Sequence, residues 1–171
     1  MPELLSFPNP VNEKAARVVA AGVVLLAAAT LVTSWYWLLI PLAYGFVARV
    51  LTGPTLSPLG RLATSVIAPR LGPPKPVPGP PKRFAQGMGA AMTLAAAVAG
   101  LGFGEHAVAD GLLAAVILAA ALEAGLAVCL GCHVFAALIR FGIVPEAVCA
   151  DCADIGSSRS SRSDPARVGS L

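Results

Sequence analysis

The sequence predicts an all-α, polytopic membrane protein with four transmembrane helices in two hairpins, a cytoplasmic Pro-rich basic loop and an interfacial helix. The first observation is composition: 57% of residues are hydrophobic, 12% are charged and the mean hydropathy is +0.78, outside the usual range of soluble domains. The second is the presence of long apolar runs. The third is that basic residues concentrate in one connecting segment, although the net charge is only +3.

The first apolar run predicts a helical hairpin. No charged residue occurs from Val18 to Ala48, and one helix of this length would far exceed the roughly 30 Å hydrocarbon core of a bilayer. We therefore expect the chain to turn at Thr33-Ser34, just before the aromatic trio Trp35-Tyr36-Trp37, which suits the headgroup level. The expected spans are 15–32 and 36–51, and Asn12 is the expected N-cap of the first.

The segment between the hairpins fixes the expected orientation. From Gly53 to Arg83 there are five basic residues and no acid: Arg61, Arg70, Lys75, Lys82 and Arg83. The positive-inside rule places this segment, and with four spans both termini, in the cytoplasm. Apolar residues at helical spacing from Leu59 to Ile67 predict an interfacial helix. The stretch from Pro73 to Pro81 predicts a stiff, extended linker.

Two further apolar runs predict the second hairpin. They flank the polar link Glu105 to Asp110, with spans expected at 84–103 and 110–130 and Asp110 as the N-cap of the fourth helix. Small residues at every fourth position of the third helix predict a face that another helix can approach closely: Gly87, Ala91, Ala95 and Ala99. We expect one integral membrane domain over 12–155 and a disordered tail over 156–171.

Two short motifs carry a family resemblance. "PKRFAQ" (81–86) and "CLGC" (129–132) make the chain, from Asn12 to at least Cys132, resemble the bacterial domain-of-unknown-function family 4395. The resemblance implies a small integral protein of the bacterial inner (cytoplasmic) membrane and brings no established activity. Associations of that family imply a thioredoxin- or rhodanese-like protein as a partner, in addition to the lipid bilayer.

All four cysteines lie in two Cys-x-x-Cys pairs: Cys129 with Cys132, and Cys149 with Cys152. The predicted topology puts both pairs on the cytoplasmic side, where permanent disulfides are rare. We favour thiol–disulfide redox chemistry, with Cys129 and Cys132 as the redox pair and Cys149 and Cys152 as the resolving pair. A new helix beginning at Cys132 would lower the pKa of that thiol through its unpaired N–H groups.

Two alternatives stay open at the level of sequence. The spacing C-x2-C-x16-C-x2-C fits a tetrathiolate zinc site made by Cys129, Cys132, Cys149 and Cys152, and zinc is the one cofactor that the sequence suggests. A membrane scaffold or small-solute transporter, monomeric or homo-oligomeric, would need no thiol chemistry. Whether the chain catalyses a reaction is equally open. No nucleic-acid motif occurs, and topology and anionic lipid explain the basic loop.

Glu123 is the one acid expected inside a span. An intramembrane carboxylate is costly, so Glu123 is either a functional residue or a neutral, hydrogen-bonded carboxyl, and we expect it to face the bundle. On a continuous helix it would lie about 120° around the axis from Cys129 and about 180° from Cys132. This geometry predicts that Glu123 is not beside the thiols.

Overall fold

A computed structural model describes residues 7–145, which are almost entirely helical. The helices are α1 (Glu13–Thr33), α2 (Leu39–Thr52), α3 (Pro58–Leu62), α4 (Ala68–Arg70), α5 (Gly79–Ala97), α6 (His106–Leu126) and α7 (Leu130–Arg140). A 3-10 turn, Tyr36–Leu38, precedes α2, and π-helical segments join α3 to α4 (Ala63–Ile67) and extend α5 (Val98–Phe103). Two short strands, β1 (Val11–Asn12) and β2 (Pro76–Val77), pair antiparallel.

The start and the end of α1 are determined by local sequence, as predicted. The side chain of Asn12 accepts a hydrogen bond from the backbone N–H of Lys14 at 3.1 Å, which confirms the N-cap. At the other end Ser34 adopts the left-handed conformation (φ 53°) and closes the helix, which confirms the turn before the aromatic trio.

Within residues 7–145, three helical segments are long and apolar enough to cross a membrane. They are Glu13–Thr33, Gly79–Phe103 and His106–Leu126, with mean hydropathies of 2.2, 1.4 and 2.0. Their outer surfaces carry exposed large apolar side chains such as Leu25, Val32 and Leu118. The expected second span corresponds to a shorter apolar segment, Tyr36–Thr52. These helices indicate a membrane protein.

The two hairpins interlock through their long helices. The most extensive contacts join α1 to α6 and α2 to α5, so each helix of the first hairpin packs against one of the second. The two hairpins approach closely at Gly89, where an added Cβ would lie 2.2 Å from the ring of Phe46. This contact is not on the predicted small-residue face, of which Ala91 and Ala95 are exposed.

Both helices of the second hairpin begin earlier than predicted. Helix α5 begins at Gly79, so the last three residues of the predicted linker, 79–81, are helical. Proline is tolerated there because the N–H groups of a first helical turn have no partner within the helix. Helix α6 begins at His106, and Asp110 is not its N-cap. Instead Asp110 accepts a hydrogen bond from the hydroxyl of Tyr36 at 2.9 Å.

The connection between α2 and α5 folds over the start of α1. The helical segment that includes α3 and α4 agrees with the predicted short helix, and Ala63 and Ala68 on it are buried. Leu59 packs so closely on α1 that a Cβ on Gly22 would lie 2.6 Å from it. The ammonium of Lys14 donates to the carbonyl of Leu71 at 2.7 Å. The loop and the N-terminal end of α1 therefore lie at the same end of the bundle.

Candidate functional site

The helical structure is interrupted between α6 and α7, immediately before the first cysteine pair. Helix α6 ends at Leu126, four residues before the predicted end, and Ala127 adopts the left-handed conformation with a φ of 57°. Its N–H donates to the carbonyl of Glu123 at 3.1 Å. The guanidinium of Arg17 donates to the carbonyls of Ala124 and Gly125, at 3.0 Å each. These bonds satisfy carbonyls at the helix end and stabilise the break.

Cys129 is the N-cap of α7. Its backbone is extended (φ −93°, ψ 101°), and its sulfur accepts a hydrogen bond from the backbone N–H of Cys132 at 3.3 Å. The sequence prediction that the new helix begins at Cys132 was wrong by two residues, since α7 begins at Leu130. The thiol at the helix N-terminus is therefore that of Cys129. Cys129 is buried and Cys132 is half-buried.

The two thiols have different proton affinities. The hydrogen bond from the Cys132 thiol lowers the pKa of Cys129, and the positive charge of Lys82 also lowers it. Burial and the negative charge of Glu123 raise the same pKa but do not outweigh these effects. The hydrogen bond to Cys129 raises the pKa of Cys132, and burial adds to this increase. The pair therefore favours a state in which Cys129 is the thiolate and Cys132 keeps its proton.

Gly131 brings the cysteine pair against α5. A Cβ on Gly131 would lie 2.4 Å from the Cβ of Ala85, so only glycine lets α7 pack this closely. One turn further along α7, the ring of Phe135 lies 5.5 Å from that of Phe84. Ala85 and Phe84 belong to "PKRFAQ" and Gly131 to "CLGC". The two most specific motifs of the sequence are therefore in direct contact.

A buried ion pair lies beside the cysteines. The ammonium of Lys82, in the first turn of α5, pairs with the carboxylate of Glu123, and the two side chains are 9% and 13% exposed. Glu123 and Cys129 line one cavity of about 80 Å³, so the prediction that Glu123 is remote from the thiols was wrong. That prediction assumed a continuous helix, and the break at Ala127 changes the direction of the chain.

Lys82 is the site residue that the sequence analysis missed. Its position in a basic segment suggested a cytoplasmic loop residue, whereas α5 begins early enough to include it. One signal was available, because a single carboxylate inside a bundle needs a cation, and "PKRF" supplies the nearest lysine that precedes a span.

The second cysteine pair lies outside the described residues. Cys149 and Cys152 follow Pro145, so neither their role as a resolving pair nor the tetrathiolate site is tested by the structure. Within residues 7–145, no group of three or more His, Cys, Asp and Glu side chains is arranged to hold a metal ion.

A comparison with family models gives one match. The model described as "Domain of unknown function (DUF4395)" matches residues 11–140, which include all seven helices and the pair Cys129 and Cys132 but stop before Cys149. No curated protein and no solved structure matches the chain.

Proposed function

Since the chain belongs to the DUF4395 family and its first Cys-x-x-Cys pair lies within the family's domain, we propose that this pair exchanges disulfides with a soluble thiol carrier. The observation that carries the proposal is the position of the Cys129 sulfur at the N-cap of α7, where it accepts the N–H of Cys132. A thiolate at a helix N-terminus is the reactive arrangement for thiol exchange.

The proposed reaction transfers two electrons. The Cys129 thiolate attacks one sulfur of a disulfide in the carrier, forms a mixed disulfide and releases one carrier thiolate. The released carrier thiolate takes the proton of Cys132, and the Cys132 thiolate then attacks the Cys129 sulfur. This forms the Cys129–Cys132 disulfide and releases the second carrier sulfur as a thiolate, which takes a proton from water. The carrier disulfide is reduced to a dithiol, the pair in this protein is oxidised, and the reverse sequence returns both to their starting states.

Lys82 supports the attacking group in this proposal. A positive charge near a thiolate stabilises it, and Glu123 holds the ammonium in place as its ion-pair partner. Glu123 also contributes a negative charge that acts against the thiolate. We therefore assign Lys82 and Glu123 as positioning residues that set the proton affinity of Cys129.

The proposed setting is a bacterial inner membrane, with four spans and the cysteine pair at the cytoplasmic end. Tyr36–Thr52 would be the short second span. In support, Arg17 joins the start of α1 to the end of α6, and Lys14 joins α1 to the loop that contains Arg61, Arg70 and Lys75. The basic residues thus gather at the end where Cys129 lies, as the positive-inside rule requires. The proposed partner is a thioredoxin- or rhodanese-like protein.

A trapping experiment tests the exchange. In a chain that also carries Cys149→Ser and Cys152→Ser, the predicted resolving pair cannot act, and Cys132→Ser removes the remaining thiol that could resolve the mixed disulfide. This variant should accumulate a covalent complex with an oxidised thioredoxin-type carrier, and reducing agent should release it. The Cys129→Ser variant of the same chain is the matched control and should form no complex. A complex that forms equally well with Cys129→Ser would contradict the assignment of the attacking thiol.

The purified wild-type protein supplies the second arm of the test. Alkylation after equilibration in buffers of graded potential should show two thiols that are lost together as Cys129 and Cys132 pair. One zinc ion per chain, with all four thiols protected until a chelator is added, would replace the redox proposal by the tetrathiolate site. If all four thiols stay reduced at every potential and no metal is bound, the redox and zinc proposals both fail. The scaffold or transporter alternative would then remain.

A further inference from the structure

We propose that the protein binds an oxoanion in a cavity at the end of the bundle where α1 begins and α2 ends. This cavity, here called the Arg49 cavity, has a volume of about 250 Å³. Its polar lining residues are Asn12, Arg49, Thr64, Lys82 and Gln86, and most of the remaining wall is apolar. Cys129 and Cys132 do not line it, and Lys82 is the residue that the cavity shares with the thiol site.

Arg49 has a hydrogen-bonding group that the described part of the protein does not use. The residue is 5% exposed. Its Nε donates to Oε1 of Gln86 at 2.8 Å and its Nη1 donates to Oγ of Ser57 at 3.1 Å. The buried Nη2 has no hydrogen-bond partner within residues 7–145. Because a buried charged donor without an acceptor has lost its hydration, Arg49 favours an acceptor supplied by a ligand.

The buried charges around the cavity do not balance. Arg49 and Lys82 are both cationic and both line it, whereas Glu123 provides one negative charge and pairs with Lys82. The nearby Glu13 is paired with the exposed Lys75 at 2.8 Å. Together these five groups carry one net positive charge, with Glu123 close to both Lys82 and Arg49. An uncompensated buried cation is costly, and a bound anion would remove that cost.

The first turn of α1 adds to the positive potential of the cavity. Ala15 and Ala16, near the N-terminus of this 21-residue helix, line the wall. The N-terminal end of a helix carries a partial positive charge that favours anions. The helix end and the guanidinium of Arg49 both border the cavity and favour the same charge there.

Guanidinium chemistry defines the class of ligand. The N–H groups of arginine match the oxygen atoms of carboxylate and phosphate groups, and a small rotation of the Arg49 side chain would turn its unpartnered Nη2 toward such an oxygen in the cavity. Two sources supply this chemistry: a free anion such as inorganic phosphate, or the phosphate of an anionic phospholipid whose acyl chains stay in the bilayer. The site proposed here is for the phosphate group that both contain.

Binding assays with both sources test the proposal on the full chain. For the free anion, radiolabelled inorganic phosphate is titrated onto delipidated protein in neutral detergent, with chloride keeping the ionic strength constant. For the lipid, native mass spectrometry is applied to protein released from phosphatidylcholine nanodiscs that contain phosphatidic acid. We expect one saturable anion per chain in one of the two assays. No saturable binding of either probe overturns the proposal.

Arginine variants locate the binding site. Arg49→Gln removes the charge and the unpaired donor, and we expect the affinity to fall about tenfold or more, the usual effect of losing a charge-assisted hydrogen bond. Arg61→Gln is the matched control, because Arg61 is exposed on α3 and does not line the cavity. The affinity of this variant for the anion should equal that of the wild type. Equal losses in both variants would mean surface attraction and would overturn the site.

A second pair of variants does not disturb the buried arginine. Thr64 is exposed and lines the cavity, so substitutions there should leave the fold intact. Thr64→Glu brings a competing carboxylate to Arg49 and should abolish anion binding, whereas the neutral Thr64→Gln of the same size should retain it. Binding that is unaffected by Thr64→Glu would place the anion elsewhere and contradict the proposal.

Discussion

The two ends of the helical bundle differ in where their charged groups lie. At the end that contains the cysteine pair, Arg49, Lys82 and Glu123 are buried or nearly so, and each contacts groups on other elements. At the opposite end Glu105 and His106 are exposed, and the contacts that Tyr36 makes there are a hydrogen bond to Asp110 and a ring stack on His106.

This difference separates turn-forming residues from residues with a chemical role. Exposed polar residues in a helical hairpin cost little, because water solvates them, and need no functional explanation. Buried charges cost several kcal/mol each unless they are paired, and charged groups that perturb one another are common at functional sites. The comparison therefore favours the cysteine end as the place of the proposed chemistry, while the other end forms a turn.

The largest expected effect follows from breaking the buried ion pair. Glu123→Leu leaves the ammonium of Lys82 buried without its partner, and we expect a loss of about 3 kcal/mol or more in the free energy of unfolding. Unfolding in detergent, followed by circular dichroism, measures it. The double variant Lys82→Met with Glu123→Leu should be more stable than Glu123→Leu alone; additive losses would show that the pair is not coupled.

A smaller effect is expected where α7 packs on α5. Gly131→Ala introduces a methyl group 2.4 Å from the Cβ of Ala85 and should cost about 1–3 kcal/mol as α7 moves away. Because the same movement displaces Cys129, its alkylation rate should change as well. Gly111→Ala in α6 is the matched control: nothing lies within 4 Å of its added Cβ, so its stability should equal or exceed that of the wild type.

The smallest effect is expected at the opposite end of the bundle. Tyr36→Phe removes the hydroxyl that donates to Asp110 but keeps the ring that stacks on His106, 4.3 Å between centroids. We expect no measurable change in melting temperature or in the alkylation of Cys129. A loss comparable to that of Glu123→Leu would remove the distinction between the two ends.

Local signals in the sequence predicted most of the helices. Asn12 as a cap and the turn at Ser34 depend on residues close in sequence, and the structure has both. The start of α5 was placed too late, because Pro80 and Pro81 suggest a linker unless they occupy a first turn. That error moved Lys82 out of the bundle and concealed the partner of Glu123.

A break near the cysteines was predicted, but its position at Ala127 could not be predicted from local sequence. Glycine usually supplies the left-handed residue at a helix end, yet Gly125 lies within α6 and Gly131 within α7, and the left-handed residue is Ala127. Tertiary contacts stabilise this conformation, among them the bonds from Arg17, more than one hundred residues earlier in the chain. The sequence prediction ended the fourth span at 130 and began a new helix at Cys132, which is later than the observed break. The position of Glu123 was wrong because it was calculated for a continuous helix.

The most direct test of the central claim is the pH dependence of alkylation at each thiol of the reduced wild-type protein, resolved by peptide mass spectrometry with a small reagent. Only the thiolate reacts, so a lowered pKa keeps the rate high as the pH falls below the usual cysteine range, and a raised pKa suppresses it. We expect Cys129 to react faster than Cys132 at neutral pH. The midpoint of the pH dependence for Cys129 should lie below that of an ordinary cysteine, and it should rise in the Cys132→Ala variant. An ordinary midpoint for Cys129, unchanged in that variant, would contradict the account.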